Sequence, residues 1–80
     1  MTSITIQYFA ILREQRGLSE ERLDTSASTP RALYEELSGQ HGFTLDPARL
    51  KVVLNDAFAD WDDALSEGDT VVFIPPVAGG

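Results

Sequence analysis

The chain ends VVFIPPVAGG, and the α-carboxylate of Gly80 is the group there with chemistry to offer. Gly79 and Gly80 carry no side chains, so such an end fits a narrow channel and takes backbone angles closed to other residues. A carboxylate is a poor electrophile. Joined to AMP by a partner enzyme using ATP, it becomes an acyl group that a sulfur or nitrogen nucleophile can capture. Capture by sulfur leaves a C-terminal thiocarboxylate, itself a nucleophile, on a chain without cysteine. The bland reading is a frayed terminus. Against it stands the upstream sequence, where the apolar run Val71-Val72-Phe73-Ile74 meets Pro75-Pro76. Two prolines cannot continue a ladder, and they stiffen the backbone into an extended form that aims the last four residues away from the body.

Other groups offer less. Asp60, Asp62, Asp63, Glu67 and Asp69 are a dense set of carboxylates, but a calcium loop counted from Asp60 needs glycine at its sixth position and has Leu65. Solvated turns, or a cluster that guides a basic partner, fit that stretch, while Trp61 and Leu65 call for burial. His41 is the sole histidine and suits the C-terminal end of a helix. The serines form no nucleophile elbow, and the glycines form neither a phosphate loop nor a dinucleotide fingerprint. No catalytic machinery of the chain's own is recognisable, and no metal or bound cofactor is expected.

Composition sets the class. Eighty residues make one small domain with a modest core. Thirteen acids against six bases give a net charge of −7, which argues against nucleic acid and anionic membranes. That balance suits a partner with a basic docking face, and it equally keeps a small protein in solution. The absence of cysteine fits a reducing, cytoplasmic setting. The start MTSITIQYFA has neither a basic segment nor a long apolar one, so no signal peptide is expected.

The elements that must position the tail can be read along the chain. Ile4 to Tyr8 alternates as a strand, with Ile4, Ile6 and Tyr8 on one face and Phe9 falling on the other with Thr5 and Gln7. AILREQR over 10–16 is a short helix stopped by Gly17. ERLDT over 21–25 is a weaker strand. Thr29 caps the main helix, Pro30 opens it, Leu33, Tyr34 and Leu37 face inward, Glu35 and Glu36 face solvent, and Gly39 or Gly42 ends it. Lys51–Leu54, Ala57–Ala59 and Thr70–Ile74 complete the strands. The order implies an α+β fold with one mixed sheet wrapped on one main helix, its first and last strands central neighbours. The domain spans 1–76, and 77–80 form a flexible Gly-Gly tail.

These stretches resemble the small subunit of molybdopterin synthase, the ubiquitin-like sulfur carrier called MoaD. The resemblance rests on YFAILRE, on Leu54-Asn55 through Ser66-Glu67-Gly68-Asp69, and above all on VVFIPPVAGG, and covers nearly the whole chain. It implies a β-grasp fold and a division of labour. A MoeB-like enzyme would adenylate Gly80 with ATP, and a sulfur donor would convert it to a thiocarboxylate. A MoaE-like large subunit would receive the tail in a heterotetramer with two carriers. The sulfur would go to cyclic pyranopterin monophosphate, forming the dithiolene of molybdopterin. Gly79 and Gly80 would then be the functional tail, Pro75, Pro76, Val77 and Ala78 its approach, and Phe9, Phe58 and Ile74 an exposed apolar docking patch with Arg13 beside it. At the position of Ile74 the family often has Phe. Two other readings share the tail chemistry: a ThiS-like thiazole carrier, and a ubiquitin-like protein modifier joined to lysines through Gly80.

Overall fold

Strand β1 (Thr2–Tyr8) buries alternate residues Ile4, Ile6 and Tyr8, as its period of two requires. The computed structural model describes residues 1–76. Helix α1 (Ala10–Arg16) comes at once, and the chain turns there through Ala10 at φ 52°, a left-handed angle costly to any residue with a Cβ. Gly17, at φ 84°, closes α1. Strand β2 (Glu20–Thr25) returns antiparallel to β1.

Helix α2 (Pro30–His41) starts as its sequence dictates: the Thr29 side chain accepts from the Ala32 N–H, and Pro30 stands where its missing donor is not needed. Gly42, at φ 70°, ends it; Gly39 lies within the helix. Leu33, Tyr34 and Leu37 are its buried face. Glu35 is exposed, but Glu36 is partly covered, because its carboxylate accepts a 2.7 Å bond from the buried Thr25 hydroxyl. A 3-10 turn over Pro47–Arg49 leads to β3 (Lys51–Leu54), β4 (Ala57–Ala59) and β5 (Thr70–Ile74).

The sheet order is β2-β1-β5-β3-β4. β5 lies parallel to β1 and antiparallel to β3, so the last strand is central. One face is covered by α2: Ile4, Ile6, Tyr8, Val52, Val71 and Phe73 meet Leu33, Tyr34 and Leu37 in one core. Tyr34 sits edge-on to Phe73 at 5.1 Å between centroids, and Trp61 stacks on Phe73 at 5.6 Å.

Candidate functional site

The site is built from β5 outward. Val71 and Phe73 are fully buried, and β5 is hydrogen-bonded on both sides, so the root of the tail is fixed in the middle of the sheet. Ile74 is the last paired residue, opposite Lys51. Pro75 is half-buried and Pro76 exposed. Proline has no N–H to give, so the ladder stops here. Val77, Ala78, Gly79 and Gly80 lie outside the described residues.

The face of the sheet opposite α2 divides in two. Registers place Glu20, Gln7, Val72, Val53 and Phe58 in one row across all five strands. The β2–β1 half is polar: Gln7 donates its side-chain N–H to Glu20 at 3.0 Å, and Arg22 lies opposite Thr5. The β5–β3–β4 half is apolar. Phe58 is 77% exposed although it opposes Val53, because β4 is the edge and nothing lies beyond it. Phe9 continues the extended backbone of β1 (φ −130°, ψ 152°), two residues past Gln7, and is 47% exposed. Ile74 is half-buried on the same face as Val72, while Phe73 takes the core side. The geometry thus brings Phe9, Phe58 and Ile74 to one face around the root of the tail. Arg13 is exposed on α1, which leaves β1 right after Phe9.

A cavity of about 350 Å³ opens at the β3–β4 edge, lined by Lys51, Phe58, Asp60 and Trp61 among others. Sequence reasoning missed Lys51, Val53 and Val72 as members of this face. The signal was present in part: KVVL and TVVF are more apolar than a sheet with one covered face needs, and Lys51 alternates with Val52.

What positions Phe58 is a clamp on its hairpin. Asn55 and Asp56, at φ 51° and 71°, form the two-residue turn between β3 and β4; both angles are left-handed, the combination hairpins of this length require. The Asn55 amide donates to Asp69 at 2.8 Å, and its carbonyl oxygen accepts from the Thr70 N–H at 2.9 Å. The turn is thereby tied to the start of β5. Asp69 also accepts from the Ser66 N–H, Gly68 donates its N–H to the Ser3 carbonyl, and Glu67 accepts from the Ser3 N–H. The Asn55 to Asp69 motif is therefore a structural device. Asp62 pairs with Arg31 at 3.0 Å, which holds its carboxyl below the usual range, and Asp63 accepts from the Asp60 N–H. Four of the clustered carboxylates thus serve turns and one ion pair.

A second network braces the start of β2. Glu21 takes two bonds from the Arg16 guanidinium, each at 2.8 Å, and one from the Tyr8 hydroxyl at 2.6 Å. The Arg16 contact holds the Glu21 carboxyl below the ordinary range although partial burial opposes it, and burial, helped by Glu21, pushes the Tyr8 phenol up. His41, half-buried at the end of α2, leans on Phe43 with centroids 5.9 Å apart. None of these groups faces the tail side with a nucleophile, and among the described residues no three potential ligands gather to hold a metal. No helix of the described residues is long and apolar enough to cross a membrane.

Comparison with known proteins places this arrangement. A family model described as the ThiS family matches residues 6–80. The molybdopterin synthase sulfur carrier subunit of Escherichia coli is 30% identical, over 96% of this chain and 99% of that one. Among solved structures, a molybdopterin converting factor subunit 1 from Pyrococcus furiosus, described as putative, has a TM-score of 0.78 at 26% identity, covering 96% of this chain and all of that one. SAMP1 from Haloferax volcanii, a small archaeal modifier protein, has a TM-score of 0.76 at 28% identity, covering 98% of this chain and 99% of that one.

Proposed function

The chain belongs to the ThiS family, with the ubiquitin-like β-grasp fold, and from that premise we propose that it is the sulfur carrier subunit of a molybdopterin synthase. The observation that carries the reading is the near-full-length match to a curated carrier of that type. The geometry supports it: the strand that leads to the Gly-Gly end is paired on both sides at the middle of the sheet, and exposed apolar side chains of Phe9 and Phe58 share the open face with Ile74 at its end.

The proposed chemistry divides between this chain and its partners. A MoeB-like enzyme brings ATP to the Gly80 carboxylate; the carboxylate oxygen attacks the α-phosphorus, pyrophosphate leaves, and an acyl-adenylate forms. A donor persulfide then attacks the acyl carbon and AMP departs, leaving an acyl disulfide; a thiol attacks the donor's sulfur, forms a disulfide with it, and releases the thiocarboxylate. The charged carrier docks through Phe9, Phe58 and Ile74, with Arg13 at the margin, on a MoaE-like large subunit. Pro75, Pro76, Val77 and Ala78 lead Gly79 and Gly80 to that subunit's substrate, cyclic pyranopterin monophosphate. The thiocarboxylate sulfur displaces an oxygen substituent at a substrate carbon, the C–O bond breaking as the C–S bond forms, and water hydrolyses the resulting thioester, freeing the substrate-bound thiol and returning the carboxylate. A dithiolene needs two sulfurs, in keeping with a heterotetramer holding two carriers. This chain supplies position and one acyl group, and its partners supply the catalysis.

The experiment is co-expression with the activating enzyme and sulfur donor, then intact mass measurement. The expected result is replacement of one oxygen by one sulfur at Gly80; an unchanged mass overturns the reading. A second reading has an observation in its favour, the likeness to SAMP1: a modifier attached through Gly80 to lysines of other proteins. Covalent adducts on other proteins, without the sulfur shift, would select it. A thiazole carrier shares the family but not the curated relative, and loss of thiazole synthesis on deletion of the gene would select that one.

A further inference from the structure

Lys51 is the sole lysine of a chain with net charge −7. It is exposed, and neither ion pair among the described residues uses it; those belong to Arg16 and Arg31. Its place is unusual. Lys51 opposes Ile74 across the β3–β5 ladder and shares its face with Val53, which opposes both Val72 and Phe58. It also lines the cavity beside Phe58 and Trp61. Lys51 therefore lies on the open face with Ile74 on one side and Phe58 and Asp60 on the other. A surface that covers Ile74 and Phe58 together must cover Lys51 too.

That placement constrains the partner. An ammonium taken out of water without a counter-charge is strongly unfavourable, and lysine is depleted from interface centres for that reason. A long side chain escapes by lifting its head to the rim; here Ile74 and Phe58 share its surroundings, and Asp60 lines the same cavity but forms no ion pair with it. We propose that the large subunit presents a carboxylate side chain that pairs with Lys51 when the carrier docks, and that this pair sets which carriers the subunit accepts. The inference rests on the carrier reading above. It also reverses locally what total charge suggests: an acidic protein calls for a basic docking face, whereas this patch carries a cation beside Ile74 and Phe58 that calls for an acid.

The test measures binding of the purified full chain to the large subunit from the same genome, by calorimetry at two salt concentrations. Wild type is expected to bind, Lys51→Arg to stay within about threefold, and Lys51→Glu to weaken roughly 30-fold or more. Lys51→Met should fall between them and show a smaller salt dependence. A Glu or Asp of the large subunit changed to Lys should restore binding to Lys51→Glu. Unchanged melting temperatures in all variants separate docking from folding. If wild type binds and Lys51→Glu binds as well, or if no charge reversal on the large subunit rescues it, the inference falls while the carrier reading stands. If wild type itself fails to bind, both fall.

Discussion

The two faces of the sheet are built from similar residues to different ends. On the covered face, Ile6, Val71 and Phe73 are fully buried against α2. On the open face, Val72, Val53 and Phe58 form an apolar run of comparable chemistry, yet Phe58 stands 77% exposed. The first set stabilises the fold by leaving water. The second does so only in part: Val72 is buried and Val53 half-buried, but Phe58 at the edge, with Phe9 and Ile74 nearby, leaves exposed apolar area of the kind that marks interaction surfaces. The polar β2–β1 half of the same face shows that the sheet has no need of apolar residues there. On the proposed reading, stability and docking occupy opposite faces of β5, through Phe73 inward and Ile74 outward.

That contrast can be broken by substitution. Phe73→Ala should destabilise the domain most, by about 3–5 kcal/mol in denaturant melts, because it opens a cavity beneath Tyr34 and Trp61. Phe58→Asp should change stability by no more than about 0.5 kcal/mol while weakening docking on the large subunit roughly 30-fold or more. Equal loss of stability in both variants would erase the distinction. Asn55→Gly keeps the left-handed turn but removes two clamp bonds, and should cost about 1–2 kcal/mol with a partial loss of docking, since the hairpin that holds Phe58 loosens.

Smaller effects come from the network at Glu21. Its folded pKa is depressed, so its stabilising contribution is present above pH 4.5 and lost as pH falls through the folded value. Tyr8 is the opposite case: its phenol is raised, so its contribution is full below pH 10.0 and declines as pH rises above that. Glu21→Gln should flatten the acid limb of a stability–pH profile by about 1 kcal/mol, and Tyr8→Phe should flatten the alkaline limb. Limbs unaltered by these changes would assign the pH dependence elsewhere.

Much of this was legible in the sequence because the signals are local. Thr29-Pro30 opens α2, and alternation sorts Ile4, Ile6 and Tyr8 from Phe9. Of Phe73 and Ile74, one must face outward, and the buried Phe73 leaves that place to Ile74. What escaped is non-local. Glu36 is drawn into a bond with Thr25 from another element, whereas Gly42, one of the two ends the sequence offered, closes α2 through a local bond to Ser38. The neighbours of Lys51 depend on the β3–β5 register, which no spacing within either strand reveals. The motif from Asn55 to Asp69 was legible as a pattern, but its work as a clamp emerges only when β5 lies beside the hairpin.

The central claim is that this domain holds and presents a sulfur-bearing terminus and leaves the chemistry to its partners. The most direct measurement is a single-turnover assay in which the purified thiocarboxylate form is mixed with the large subunit and cyclic pyranopterin monophosphate. The account predicts dithiolene product, two carriers returned to the carboxylate form for each product, and no product from a chain lacking Gly80. Product formed without the thiocarboxylate, or none formed with it, would contradict the account.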